Sequence, residues 1–150
     1  MDIRSGAPYP AGALSNFAAN GFELDGVGCA GMEGFLQGLK FPDPAMQERI
    51  CAMPSDRANA AGAAHDWHAA QTLYWRGRAI VRDSAAYQEL LDRAFDAMAE
   101  GNPGFRAALL ATGDAVLTHA VGKSDPRATV LTQSEMCDRL HRIRRRLTAS

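Results

Sequence analysis

The sequence predicts an α+β fold, predominantly α-helical, built as one domain with a few short strands. Three observations carry this. Apolar residues recur at i, i+3, i+4 and i+7 in several stretches, the spacing of one helix face. Short alternating segments flank turn dipeptides at two places, the mark of small hairpins. And 150 residues, 47% hydrophobic and 22% charged, fit one ordinary globular domain with a real core.

Residues 1–13, rich in Gly, Pro, Ser and Ala, read as an irregular N-terminal arm, and residues 14–150 as the domain. Phe22-Glu23-Leu24, the turn Asp25-Gly26 and Val27 onward read as a small hairpin. Met32-Glu33-Gly34-Phe35-Leu36-Gln37-Gly38-Leu39-Lys40-Phe41 places Met32, Phe35, Leu36 and Leu39 on one stripe, a helix ended before Pro42. Asp43 with Pro44 opens a second helix to about Met53, and Pro54-Ser55-Asp56 a third, from Arg57 to about Ala61. Thr72–Trp75 and Ala79–Val81 flank Arg76-Gly77-Arg78 as two short strands around a turn. Asp83 or Ser84 caps a helix to about Glu100 with Tyr87, Leu90, Leu91, Ala94, Phe95 and Met98 inward. Gly101–Gly104 breaks it, and a further helix spans Phe105–Thr112. Ala115–Val121 is a candidate strand, and Gly122–Pro126 is a loop. Thr132 and Glu135 fit a capping box ahead of a last helix, Gln133 to about Leu147, with Met136, Leu140, Ile143 and Leu147 inward.

Charge and cysteine usage narrow the function classes. A net charge of −1 argues against general electrostatic binding to nucleic acid and leaves room for a local basic pocket. Three widely spaced cysteines, Cys29, Cys51 and Cys137, with no CxxC pair, favour reduced thiols in a cytoplasmic setting. The first residues resemble no signal peptide, and no apolar run reaches the length of a membrane span, so no membrane partner is expected. No feature of the sequence specifies an oligomeric state.

The first helix has an unusual second face. Glu33, Gln37 and Lys40 line one side with few other charges, separated by Gly34 and Gly38. Each glycine costs about 1 kcal/mol relative to alanine inside a helix. Two within five residues imply that something approaches this backbone closely, either another chain segment or a ligand.

Other candidates carry plainer alternatives. His65 and His68 stand three apart, but no HExxH, CxxC or acidic cluster completes a metal shell. Arg142, Arg144, Arg145 and Arg146 form either a solvated face at the negative end of the last helix or a phosphate contact. Trp67, Tyr74, Trp75 and Tyr87 are stacking candidates of a type that more often builds a core; Trp75 stands among Arg76, Arg78 and Arg82, a setting suited to a stacked base with phosphate nearby. Asp125, in a Gly/Ser/Pro loop beside Lys123, reads as a turn-former or as a ligand-side acid. No GxSxG, Walker A or GxGxxG motif occurs.

Leu14-Ser15-Asn16-Phe17, a short hairpin and then MEGFLQGLKF resemble the NADAR family, whose members carry a pattern like LSNF followed by E…Q..KF. RDSAAYQELLDRAFDAMAEGN, FRAALLATGDAVLTH, GKSDP and VLTQSEMCDRLHRIR continue that resemblance in order, from about residue 14 to 147. The resemblance implies a mainly helical N-glycosidase-like fold with a few short strands. It also implies cleavage of an N-glycosidic bond between a ribose and a nitrogen base or amine, as in N-glycosidases of riboflavin biosynthesis intermediates and enzymes that remove ADP-ribose from guanine in nucleic acid. Glu33 falls on the family's catalytic glutamate, and Asp125 on its acidic residue in the loop after LLATGD. Two positions depart from the pattern: Ser84 stands where many relatives carry the tryptophan of R.DW, and Asp125-Pro126-Arg127-Ala128 lacks the WG of D..WG. Trp75 is the candidate replacement platform.

An N-riboside hydrolase passes through an oxocarbenium-like transition state, which two carboxylates suit. Glu33 is expected as acid/base or water-positioning residue and Asp125 as second carboxylate. Asn16 and Gln37 are expected at the ribose, and Lys40, Arg78, Arg82 and Lys123 at phosphate or substrate. No metal or organic cofactor is needed. The partner is then a small-molecule nucleotide or ADP-ribosylated nucleic acid acting as substrate. The alternative is a non-catalytic module that binds ADP-ribose or a related nucleotide.

Overall fold

The first helix, α1 (Met32–Gly38), is buried on every side, and the rest of the chain closes around it in the computed structural model, which describes residues 1–149. The expected domain end, Ser150, lies outside the described residues. Met32, Phe35, Leu36 and the following Leu39 enter the main core, as their spacing predicts. α2 (Pro44–Cys51) starts as read: the Asp43 side chain accepts from the Met46 amide at 3.3 Å, and Pro44 takes the first turn. It stops at Cys51, short of the expected Met53.

The two glycines of α1 are explained by α2. A β-carbon on Gly34 would stand 2.6 Å from the Cys51 carbonyl oxygen, and one on Gly38 would stand 2.7 Å from Cys51 Sγ. Of the two alternatives, the close approach is therefore another chain segment. Gln47, buried on α2, locks the arrangement: its Nε2 donates to the carbonyls of Gly38 (2.9 Å) and Tyr74 (2.8 Å), and its Oε1 accepts from the Arg76 amide (2.9 Å). α3 (Ser55–Ala63) begins two residues earlier than expected and covers the polar side of α1.

Two antiparallel hairpins flank this helical centre. β1 (Phe22–Leu24) pairs with β2 (Val27–Cys29), and β3 (Thr72–Trp75) with β4 (Arg78–Val81). Both turn through two residues with positive φ, Asp25-Gly26 (52° and 82°) and Arg76-Gly77 (52° and 83°), the geometry that matches strand twist. Gly77 fits such a turn without strain.

α4 (Ala85–Gly101) carries its expected stripe, Tyr87 to Met98, into the core. Ser84 caps it by accepting from the Tyr87 amide at 3.2 Å, which gives a local reason for serine there. α5 (Pro103–Ala111) is capped by Asn102, and α6 (Gln133–Ala149) begins on the expected capping box: the Glu135 amide donates to Thr132 Oγ1 (3.1 Å), and the Thr132 amide donates to Glu135 Oε1 (2.8 Å).

Ala115–Val121 does not form a strand, contrary to expectation. Its neighbour is the irregular N-terminal arm, which supplies one parallel bridge, Asp2 with Thr118, and no ladder. The arm is nevertheless anchored: the Ile3 side chain is fully buried, its amide donates to the Thr118 carbonyl at 2.7 Å, and the terminal ammonium donates to the Val116 carbonyl at 2.7 Å. Three of the four C-terminal arginines are engaged within the fold, and Arg145 is exposed. Arg142 and Arg146 pair with Asp96 (3.0 and 3.2 Å), and Arg144 donates to Thr112 Oγ1 (2.7 Å). No described helix is long and apolar enough to cross a membrane.

Candidate functional site

Glu33 and Gln37 do share one face of α1; the helix ends earlier than expected, so Lys40 follows in the turn after it, and all three look at α3. Glu33 is 6% exposed. Its Oε1 accepts from Gln37 Nε2 at 2.7 Å and from Asn59 Nδ2 of α3 at 3.0 Å. The i, i+4 spacing on α1 makes the first bond, and the proximity of α3 makes the second. No arginine or lysine reaches Glu33 as an ion pair among the described residues, which is unusual for a carboxylate so far from water.

Two further features shape this cluster. Gln37 is buried, and its Oε1 has no hydrogen-bond partner. A β-carbon on Gly62 would overlap that oxygen, so glycine on α3 lets the Gln37 amide fit. Lys40 lies half-buried at the far end, its Nζ 3.4 Å from the Gly62 carbonyl. Burial pulls the Lys40 ammonium below its ordinary range, and the Glu33 charge partly offsets this.

The segments around Glu33 also wall a cleft. The Glu33 amide donates to the Asn16 carbonyl at 3.1 Å. The next residue, Phe17, is 39% exposed, unusual for a phenylalanine, and helps to line a cleft of about 470 Å³ together with Ala19, Ala30, Pro54, Ser55 and Asp56. Ser55 and Asp56 precede Asn59 by one turn on the same face of α3. Glu33, Gln37 and Lys40 are thus brought together, and Asn16 meets Glu33 through its backbone carbonyl. Sequence reasoning missed Asn59 and, as a contact surface, Phe17. Nothing in the local sequence marks Asn59, while the LSNF string already contained Phe17.

The other expected site residues lie elsewhere. Trp75 is 5% exposed, with its indole N–H donating to Asp25 Oδ2 at 2.8 Å and its ring edge-on to Phe35 at 5.2 Å. Trp75 is a largely buried ring with a satisfied donor, and the edge it exposes lines a groove apart from the Glu33 cluster. The bonds from Arg93 and then Trp75 hold the Asp25 carboxyl below its usual range, against a smaller opposing effect of burial. Arg78 is exposed beside Trp75 on a second groove of about 700 Å³ between β4 and α4, apart from the Glu33 cluster. The expectation for Arg82 is corrected. It is 1% exposed and clamped to Glu135, so its guanidinium is not available to a phosphate.

Asp125 and Lys123 are exposed on the loop before α6. Asp125 Oδ1 accepts from the Arg127 amide at 3.0 Å, a turn-forming bond, and no hydrogen bond or ion pair links it to Glu33 among the described residues. The loop is fixed to residues 68–71: Gln71 Nε2 donates to the Arg127 carbonyl at 2.9 Å, and the His68 ring contacts the Ala128 carbonyl at 3.3 Å. Trp67 and Tyr87 are core residues, and His65 packs its ring on Phe41 at 4.1 Å. No group of three metal-ligating side chains occurs among the described residues.

The comparisons agree with this architecture. The NMR structure of the Escherichia coli protein YbiA superposes with a TM-score of 0.66 over 99% of this chain and 84% of that one, at 22% identity. The NADAR-like α+β fold expected from LSNF and E…Q..KF is the fold the chain has. A 17.1 kDa protein from the Gp30–rIII intergenic region of Enterobacteria phage T4 is 38% identical over 148 residues, 96% of each chain. The profile described as Bacteriophage protein GP30.3 matches residues 8–145, and a match over that span, joined to the phage T4 similarity, means that the chain belongs to the GP30.3 family.

Proposed function

We propose that this chain is an N-glycosidase that hydrolyses the N-ribosidic bond of a phosphoribosylated or ADP-ribosylated base. The observation that carries the reading is Glu33: a carboxylate almost wholly removed from water, held by two amides with no ion pair among the described residues, its backbone bonded to the residue before Phe17, which edges a cleft. Burying a carboxylate without an ion pair costs stability, and such an arrangement is common where the group does chemistry.

Hydrolysis lengthens the bond from the ribose C1′ to the leaving nitrogen and spreads positive charge over the sugar. The Glu33 carboxylate stabilises that charge and orients the water that adds to C1′. Asn16 and Gln37 adjoin it as ribose contacts, and Lys40, in the turn after α1, is the cation for phosphate. The substrate is a free nucleotide, such as a riboflavin-pathway phosphoribosylamino-pyrimidine, or ADP-ribosyl-guanine in nucleic acid. The setting is cytoplasmic.

The test is direct. The protein is incubated with ADP-ribosylated nucleic acid and with phosphoribosylamino-pyrimidines, and the released base is measured. Native protein releases base, and Glu33→Gln, which keeps the shape and removes the charge, loses about 10²–10⁴-fold in rate. Native-like turnover by Glu33→Gln sinks the assignment.

One observation favours a second reading, a module that binds ADP-ribose without cleaving it. Asp125, the expected second carboxylate, is exposed and bonded within its own turn. Calorimetric binding of ADP-ribose with no released base from either substrate decides for the module.

A further inference from the structure

Asn59 belongs to no motif in the sequence, yet it reaches from an exposed position on α3 to the buried carboxylate of Glu33. Its Nδ2 and Gln37 Nε2 donate to the same oxygen, Oε1, at 3.0 and 2.7 Å. Two N–H donors converging on one oxygen use Oε1 as an acceptor and leave Oε2 as the oxygen free to exchange a proton. Oε2 takes no hydrogen bond from the described residues. Asn59 also stands one turn beyond Ser55 and Asp56, which line the Phe17 cleft, on the same face of α3.

We infer that Asn59 is a positioning residue: with Gln37 it occupies Oε1 and so turns Oε2 toward the reacting water. This rests on the hydrolase reading above. In that role Glu33 accepts a proton and does not donate one. The water oxygen bonds to C1′ and gives its proton to Oε2. The C1′–N bond breaks with its electron pair on nitrogen, and the nitrogen takes a proton from solvent.

Two substitutions separate this role from simple packing. Asn59→Ala removes the donor, while Asn59→Asp keeps the shape and sets a second carboxylate against Oε1. Loss of a donor to a charged group predicts a kcat about 10-fold lower for Asn59→Ala with KM little changed. Asn59→Asp falls further, through like-charge repulsion. A purely structural role gives the opposite order, because aspartate preserves the packing. A spectroscopic measurement stands apart from turnover: the side-chain amide resonances of Asn59 and Gln37 both shift in Glu33→Gln, where their shared acceptor changes from carboxylate to amide.

An unmoved Asn59 resonance, or an Asn59→Asp variant at least as active as Asn59→Ala in an otherwise active enzyme, overturns the role of Asn59 alone. Native protein that releases no base overturns the hydrolase reading and this role with it.

Discussion

Arg82 and Glu135 form a two-pronged ion pair through the core, Nη1 to Oε2 at 3.0 Å and Nη2 to Oε1 at 2.7 Å. Arg82 lies just past β4, and Glu135 in the first turn of α6, so the pair ties the hairpin to the last helix. It also holds the chain between them. Arg82 Nε donates to the Thr129 carbonyl at 3.0 Å, and the guanidinium lies over the Tyr87 ring at 4.6 Å. Removing one partner of a buried pair leaves an uncompensated charge and costs about 3–5 kcal/mol. Arg82→Ala is therefore expected to lower the unfolding free energy by about that amount in urea titrations. A change within about 0.5 kcal/mol, the usual size for a surface site, contradicts this placement.

The same pair sets a pH dependence. Burial alone would raise the Glu135 carboxyl, but hydrogen bonds from Arg82, then Gln88 and the Thr132 amide, together outweigh it and hold it below the ordinary value of 4.5. A carboxyl with a depressed folded-state pKa contributes stability that is present above its unfolded value and lost as pH falls through the folded one. Stability should thus decline from about pH 4.5 downward, and Glu135→Gln should flatten that part of the profile while lowering stability at neutral pH. Denaturant midpoints between pH 7 and 3 measure both effects.

Much of this architecture was legible locally. Stripes, caps and turn dipeptides are properties of neighbouring residues, so α1, α4, α6 and both hairpins follow from the chain itself. What was not legible depends on which segment arrives from afar. Gly34 and Gly38 announced a close approach without saying that Cys51 makes it. Trp75 stands among arginines in the sequence, but Asp25, fifty residues away, takes its N–H. Ala115–Val121 has strand-like composition and meets a partner too irregular to pair with. At the candidate site, Glu33, Gln37 and Lys40 were readable as one helical face, whereas Asn59 came into view only when α3 was laid across it.

The glycine face of α1 makes a prediction with an internal control. Alanine is the better helix former by about 1 kcal/mol, so Gly34→Ala and Gly38→Ala would stabilise an isolated helix. In the folded protein the first new methyl meets a backbone carbonyl, and the second meets the Cys51 sulfur. Overpacking of this kind costs about 1–3 kcal/mol. Cys51→Ala should therefore relieve Gly38→Ala and leave Gly34→Ala unrelieved. Equal rescue of both variants, read from thermal or urea unfolding of the double mutants, would contradict the geometry.

His141 makes the last prediction, in a different pH range. Its Nε2 accepts from the Leu117 amide at 3.0 Å and so must be unprotonated in this contact. Burial, followed by the nearby Arg144, pulls the imidazole below its ordinary value of 6.5, with Asp138 opposing. A histidine lowered on folding contributes stability that is complete above its unfolded value and lost as pH falls through the lowered one. Leu117 sits in the segment that anchors the N-terminal arm, so protonation should loosen that attachment before the core responds. Hydrogen exchange at the Leu117 amide, corrected for its intrinsic rate, is expected to quicken between pH 7.5 and 5. His141→Gln, which keeps an acceptor but does not titrate, should remove that acceleration, and exchange in the native protein that does not change over this range would refute the coupling.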